Sequence, residues 1–233
     1  MRVAAVVPAA GCGTRFGGST PKQYLAVAGL PLLAWTLRAL LDSTVVNSLT
    51  VVVAPGEEVR CAAEVLDPCG ILVDRVVPGG ADRQSSVCAG VSAVAEPVDL
   101  ILVHDGARPL ITPALIRACV EAAAQDGAAV VAVPVSDTIK IAGADRMVVE
   151  TPPRGRLWAA QTPQVFRADW LREAHARALA DGFRGTDDSV LVERLGYPVR
   201  LVPGAAVNFK VTTPTDLTQA EHILRARLAG KPA

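Results

Sequence analysis

The residues that first suggest chemistry stand near the start of the chain. Pro8-Ala9-Ala10-Gly11-Cys12-Gly13-Thr14-Arg15-Phe16-Gly17-Gly18 is followed closely by Lys22. Glycines let backbone N–H groups approach a phosphate without side-chain obstruction. Arg15 adds a planar fork for phosphate oxygens, and Lys22 a mobile point charge. Together they suit a highly charged ligand such as a nucleoside triphosphate. The two standard phosphate loops each fail here at an essential residue. The dinucleotide fingerprint requires glycine where Phe16 stands and an acidic residue about 20 positions on; Walker A requires lysine where Ser19 stands.

A second constellation lies at residues 100–109, Leu-Ile-Leu-Val-His-Asp-Gly-Ala-Arg-Pro. An apolar strand there delivers the Asp105 carboxylate into a turn. Mg²⁺ takes one or two carboxylates and completes its shell with substrate phosphates, so Asp105 is the expected metal ligand. Such a cation would offset charge on a departing pyrophosphate. Arg108 is near enough to meet an anionic second substrate. His104 reads as a structural strand-end residue. A third patch, Gly79-Gly80-Ala81-Asp82-Arg83-Gln84-Ser85-Ser86-Val87, is a glycine-led turn into a helix, whose free N–H groups suit anions or polar base edges.

These side chains need a scaffold that gathers them. Short apolar, β-branched runs alternate with helical patterns. Strands are expected at 3–7, 49–53, 71–77, 100–103, 128–133, 199–202 and 208–211. Helices are expected at 31–41, 57–66, 85–94, 113–125, 168–180, 187–195 and 214–228. Strands that read as continuous apolar runs are buried on both faces, as in a parallel sheet covered by helices. The expected fold is therefore α/β, a doubly wound, mostly parallel sheet. Ligands of such sheets bind beyond the carboxyl ends of the strands, where the first loop and Asp105 both fall. We expect one domain over residues 1–233, with a β-hairpin arm at 136–155 around Ala142-Gly143-Ala144-Asp145. A two-stranded arm needs a partner surface, so a homodimer is expected.

Composition removes several classes of function. Lys plus Arg equals Asp plus Glu, 23 each, so no net field points to nucleic acid or a membrane surface. The five cysteines are odd in number and show no C-x-x-C spacing, so neither a disulfide framework nor a zinc cluster is expected. They fit small thiols in a reducing cytoplasm, Cys12 included. The apolar start is broken by Pro8, Gly11 and Gly13, so a secretory leader is not expected. No window approaches the roughly 18 apolar residues of a membrane span.

The motifs together resemble one family. Ala9-Ala10-Gly11-x-Gly13-Thr14-Arg15 followed by Pro21-Lys22-Gln23 is similar to the signature loop of sugar-phosphate nucleotidyltransferases. The whole stretch to Tyr24 resembles the 2-C-methyl-D-erythritol 4-phosphate cytidylyltransferases of isoprenoid biosynthesis. Asp105-Gly106-Ala107-Arg108-Pro109, the G-G-x-x-R-x-x-S-V of 79–87, Arg154-x-x-Leu157-Trp158 with Gln161-Thr162-Pro163-Gln164, and Asn208-x-Lys210-Val211-Thr212 match in the expected order. Gly185-Thr186-Asp187-Asp188-Ser189 also fits the family, although it reads mainly as an acidic helix N-terminus.

The resemblance implies a Rossmann-like nucleotidyltransferase that joins CTP to a sugar-alcohol phosphate with Mg²⁺ or another divalent cation. It implies a CTP site from Pro8, Ala9, Ala10, Gly11, Gly13, Thr14, Arg15, Lys22, Gly80, Arg83, Ser86, Asp105, Gly106 and Ala107. Backbone groups near Ala9, Ala10 and Gly80 would read cytosine. Arg108, Thr138, Arg154, Thr162 and Lys210 would contact the acceptor, Thr138 from across a dimer, with Arg156 as the alternative to Arg154. Arg15, Lys22, Arg154 and Lys210 would be catalytic. At this length the second domain of the bifunctional fusions known in this pathway is not expected. The nearest alternatives are a ribitol-5-phosphate cytidylyltransferase and a non-catalytic nucleotide-binding regulatory domain.

Overall fold

The structure, a computed structural model, describes residues 1–11, 16, 20–95 and 97–230. The expected ligands Gly13, Thr14 and Arg15, and Cys12 beside them, lie outside the described residues.

The chain begins with β1 (Val3–Pro8), a short hairpin of β2 (Ala26–Val27) and β3 (Leu30–Pro31), and α1 (Leu32–Asp42). β4 (Ser48–Val53) leads to α2 (Glu58–Cys61), which runs through a π turn into α3 (Asp67–Cys69). Then come β5 (Arg75–Pro78), α4 (Arg83–Ala93), β6 (Leu100–Val103), α5 (Pro113–Asp126) and β7 (Ala128–Pro134). β8 (Ile141–Ala142) and β9 (Val148–Glu150) form the arm. β10 (Trp158–Arg167), α6 (Ala168–Ala180), α7 (Ser189–Glu193), β11 (Arg200–Pro203) and α8 (Pro214–Leu228) complete the fold.

Helix starts follow from local chemistry. The Asp82 side chain accepts from the Ser85 backbone and Ser85 reaches back, a capping box that opens α4. Thr213 and Asp216 do the same for α8, and Thr112 with Pro113 opens α5.

Seven strands form one sheet in the order β11-β7-β10-β6-β1-β4-β5. Every pairing is parallel except the two made by β10, which runs antiparallel between β6 and β7. Alternate residues of β1 serve opposite layers. Val3, Ala5 and Val7 pack with α1 and α5, whereas Ala4 and Val6 pack with α4, α6 and α7. A third cluster of Val27, Leu32, Leu110, Val211 and Leu224 fixes α8 beside the turn after β6. α4 lies so close to the sheet that a Cβ on Gly90 would overlap the side chains of Val6 and Val52.

Three segments depart from the expected pattern. β10 is the largest: Trp-Ala-Ala-Gln-Thr-Pro-Gln-Val-Phe-Arg reads as a polar connection, yet Gln161, Thr162, Gln164, Val165 and Phe166 are all buried. Its register shifts between Ala160 and Gln164, and Pro163 lies within that break, where its missing N–H removes no ladder bond. Residues 208–211, expected as a strand, instead form a loop whose Val211 N–H donates to the Ala107 carbonyl. The strand expected from residue 71 starts only at Arg75. The arm pairs as a two-stranded ribbon separate from the main sheet, with Met147, Val148 and Val149 exposed.

Candidate active site

β1 and β6 are neighbours and end at the same edge of the sheet. Their carboxyl ends are clipped together. His104 N–H donates to the Val6 carbonyl at 3.0 Å, and Gly106 N–H to the Pro8 carbonyl at 3.1 Å. Ala9 and Gly79 N–H groups donate to Val52 and Val53 of β4. The sheet edge thus fixes three loops around one cavity of about 340 Å³.

Most of the expected site lines that cavity. Pro8, Ala9, Ala10, Gly11 and Lys22 come from the first loop, Gly80, Arg83 and Ser86 from the entry to α4, and Asp105, Gly106 and Ala107 from the turn after β6. Lys210 comes from the loop before α8. Gly80 and Ser86, expected at the base or ribose, are bonded to each other: Gly80 N–H donates to the Ser86 hydroxyl at 3.2 Å. The Lys22 ammonium donates to the Val211 carbonyl at 2.7 Å, joining the first loop to the one that carries Lys210.

Asp105 is the electrostatic centre. Its Oδ1 accepts from Arg83 Nε at 3.0 Å. Its Oδ2 stands 3.0 Å from Lys210 Nζ and 3.5 Å from Arg108 Nε. Burial alone would raise the carboxyl's pKa, but Arg83, Lys210 and Arg108 hold it well below the ordinary carboxylate range. Asp105 is therefore a fixed negative charge that keeps Arg83 and Lys210 at the cavity, with Arg108 behind it.

Behind it, β10 supplies the support. Asp105 N–H donates to Thr162 Oγ1 at 3.0 Å, and that hydroxyl lies 2.9 Å from His104 Nδ1. His104 Nε2 lies 3.3 Å from the Arg108 carbonyl. These distances fit a neutral imidazole that donates from Nε2 and accepts the Thr162 proton at Nδ1. Burial pushes the His104 pKa down to about 4, which keeps the ring neutral at pH 7. The Asn208 amide donates to Gln161 Oε1 and to the Thr162 carbonyl, and its own backbone carbonyl accepts from Arg108 Nη1 at 2.8 Å. The polar residues that disguised β10 in the sequence thus hold both the Asp105 turn and the Lys210 loop.

Not every expected residue is part of the cavity. Arg108 and Thr162, expected to contact the acceptor, lie behind Asp105 and do not line it. Arg154, Arg156 and Thr138 belong to the exposed arm segment, and Arg154 donates to the Ser136 carbonyl at 2.6 Å. Within one chain none of the three lines the cavity. Conversely, Gln23, Ala81, Asp82 and Thr212 line it and were not foreseen. Asp82 had a signal, since its place before Ser85 marks a helix start. The other three carry none beyond their proximity to motif residues. Among the described residues no group of three or more His, Cys, Asp or Glu is placed to hold a metal ion. One carboxylate at a phosphate-sized cavity is the donor set that Mg²⁺ accepts when most of its shell comes from water and phosphate.

A doubly wound α/β sheet with a glycine loop, a strand-end carboxylate and converging cations defines the class: an α/β nucleotidyltransferase. The model of the 2-C-methyl-D-erythritol 4-phosphate cytidylyltransferase family matches residues 3–226. A protein of that name from Pelotomaculum thermopropionicum is 51% identical over 227 residues, 97% of this chain and 95% of the relative. A solved structure of the Thermus thermophilus protein of that name shares 40% identity and a TM-score of 0.78, covering 97% of this chain and 100% of that one. A 4-diphosphocytidyl-2C-methyl-D-erythritol synthase from Anaerococcus prevotii superposes with a TM-score of 0.85 at 28% identity, covering 96% and 98%. The chain belongs to the 2-C-methyl-D-erythritol 4-phosphate cytidylyltransferase family.

Proposed function

We propose that this chain transfers CMP from CTP to 2-C-methyl-D-erythritol 4-phosphate, giving 4-diphosphocytidyl-2-C-methyl-D-erythritol and pyrophosphate. The observation that carries the reading is the convergence of Lys22, Arg83 and Lys210 with Asp105 on one cavity bounded by the glycine-led loops. The acceptor's phosphate oxygen forms a bond to the α-phosphorus of CTP as the bond to the β-phosphate oxygen breaks. The nucleophile is an anion at pH 7, so no general base is required. The obstacle is bringing two anions together, and positioned cations meet it.

Lys22 holds the triphosphate, and Arg15 acts with it by the family motif. Lys210 orients the acceptor phosphate. Arg83 and Arg108 fix Asp105 and are fixed by it. Backbone groups around Ala9, Ala10 and Gly80 read the cytosine. A Mg²⁺ ion held by Asp105 and the nucleotide phosphates would supply charge neutralisation of the leaving pyrophosphate.

The acceptor side is completed by a second copy of the chain. The arm exposes Val148 and Val149, and a two-stranded ribbon of this kind is not stable alone in water. In a homodimer, Arg154 and Thr138 of each arm serve the other protomer's cavity. We place the reaction in the cytoplasm, in keeping with the free thiols Cys61, Cys69, Cys88 and Cys119. No described helix is long and apolar enough to cross a membrane.

The test is pyrophosphate release from CTP and Mg²⁺ with 2-C-methyl-D-erythritol 4-phosphate, beside ribitol 5-phosphate and a control without acceptor. Release with the first alone supports the proposal. Release with ribitol 5-phosphate alone keeps the chemistry and changes the acceptor. CTP binding without release in any arm identifies a regulatory nucleotide-binding protein instead.

A further inference from the structure

A second cluster of reactive groups lies on the far side of α4 from the nucleotide cavity. Cys88 on α4, His175 on α6 and Asp188 at the start of α7 meet beside a separate cavity of about 540 Å³ between α4 and α6. Cys88 is half-buried and lines that cavity together with Ser92 and His175. His175 is only 3% exposed, lines the cavity, and stands with Nε2 3.6 Å from Asp188 Oδ1 without a hydrogen bond. Asp188 Oδ2 is 2.8 Å from Arg83 Nη1, and Arg83 in turn holds Asp105. From His175, beside Cys88 in the cavity wall, charged groups therefore follow one another through Asp188 and Arg83 to the centre of the active site.

The proposed function uses neither Cys88 nor His175. We propose that Cys88 is a site of reversible thiol modification by small anionic disulfides, and that its state is transmitted through His175, Asp188 and Arg83 to the nucleotide cavity. This second part rests on the CTP-binding reading above.

Three observations support the chemistry. The cavity is open, so a disulfide can reach the sulfur. Its described lining contains Arg172 and His175, two groups able to carry positive charge, which favours an anionic partner. The sulfur is also activated. His175 lowers the Cys88 pKa. Burial would lower that of His175, but Asp188 and Cys88 outweigh it and push it up to about 9. Both shifts run toward the thiolate–imidazolium form of the pair. Two other described thiols differ: Cys61 and Cys119 are buried, and burial pushes their pKa values up to about 11 and about 12.

The reaction balances as a thiol–disulfide exchange. The Cys88 thiolate attacks one sulfur of the disulfide, a new S–S bond forms, the old one breaks, and the departing thiolate takes the proton from His175. No other oxidant is needed. Having given up its proton and lost the thiolate beside it, His175 no longer shares Asp188 with Arg83 as a second cation. The added group also wedges between α4 and α6, and the first turn of α4 carries Arg83 and Ser86.

The experiment uses the full chain with Cys12→Ser and Cys69→Ser, glutathione disulfide at pH 7, peptide mapping by mass spectrometry, and CTP binding by calorimetry. We expect an adduct on Cys88 that forms about 10-fold faster in the folded protein than in the urea-unfolded chain. We expect the CTP dissociation constant to rise about 5-fold or more with the adduct and to recover on reduction. A Cys88→Ser derivative should ignore the disulfide, with the same CTP affinity before and after treatment. His175→Gln should slow the adduct. Because the folded-to-unfolded rate ratio needs no substitution at His175, the activation claim survives a misfolded variant. A Cys88 no faster in the folded protein overturns the site. An adduct that leaves CTP affinity unchanged overturns the transmission. Failure of CTP to bind the unmodified protein instead removes the functional reading, and the adduct rates still judge the site.

Discussion

The cavity beside β1 and the arm beyond β7 are built on opposite terms. The described lining of the cavity comes from one chain. Its carboxylate is buried, held by three cations and backed by Thr162, His104 and Asn208. The arm carries the other cations expected at the site, yet it is exposed almost throughout and pairs only with itself. On the proposed function, nucleotide binding is a property of the folded sheet, whereas the arm's share of acceptor binding depends on assembly. A buried charge network tolerates little change, because removing one partner leaves the others unpaired. An exposed ribbon tolerates change in the monomer and shows its importance only when a partner surface is available.

The largest effect is expected at the network's centre. Asp105→Ala leaves Arg83, Arg108 and Lys210 facing one another. Turnover should fall by about 10²-fold or more. Denaturant unfolding should show a loss of about 3–5 kcal/mol. Wild-type unfolding would mean that the cations do not depend on Asp105. The arm should behave differently. Replacing Val148 and Val149 with Asp should convert the dimer to monomer in sedimentation while CTP affinity holds, and turnover should drop by roughly 10²-fold through lost positioning. A fully active monomer would end the division between the two regions. Lys210→Ala tests the boundary between them. Its main effect should be a rise in the acceptor KM of roughly 10- to 100-fold, the worth of one charge-assisted hydrogen bond. An effect confined to CTP would move Lys210 to the nucleotide side.

Much of this division was legible in the sequence. Residues near strand ends in a parallel sheet fall at one edge, so Asp105 and the first loop could be placed together from the apolar runs alone. Gly80, Arg83 and Ser86 followed from the motif that resembles the family's, at a glycine-led turn into a helix. What stayed hidden was β10. Its central residues are polar, and hydrophobic pattern cannot reveal a strand whose buried Gln161, Thr162 and Gln164 find their partners in distant segments. For the same reason Thr162 was assigned to the acceptor, because its motif was visible and its bond to the Asp105 backbone was not. Lys210 was expected on a strand, and a loop tied to Ala107 carries it instead. Arg154 and Thr138 were legible as motif residues, but within one chain neither lines the cavity.

The smallest predicted effect sharpens the contrast from beneath the cavity. His104 is fully buried, and burial holds its pKa near 4 against an unfolded value of about 6.5. Between those values the unfolded chain binds the proton and the folded one does not. Stability from this site is therefore complete above about pH 6.5 and is lost as pH falls toward 4, by about 3 kcal/mol. His175 runs the other way. Its pKa is raised to about 9, so its contribution is complete below about 6.5 and fades as pH rises through 9. Urea unfolding across pH should then show a maximum between the two limbs. His104→Gln should flatten the acid limb and leave the alkaline one unchanged, whatever it costs in absolute stability. Parallel acid limbs in the two proteins would show that the ring titrates freely. Its bond to Thr162, and the support that Thr162 gives Asp105, would then be too weak to hold the site as described.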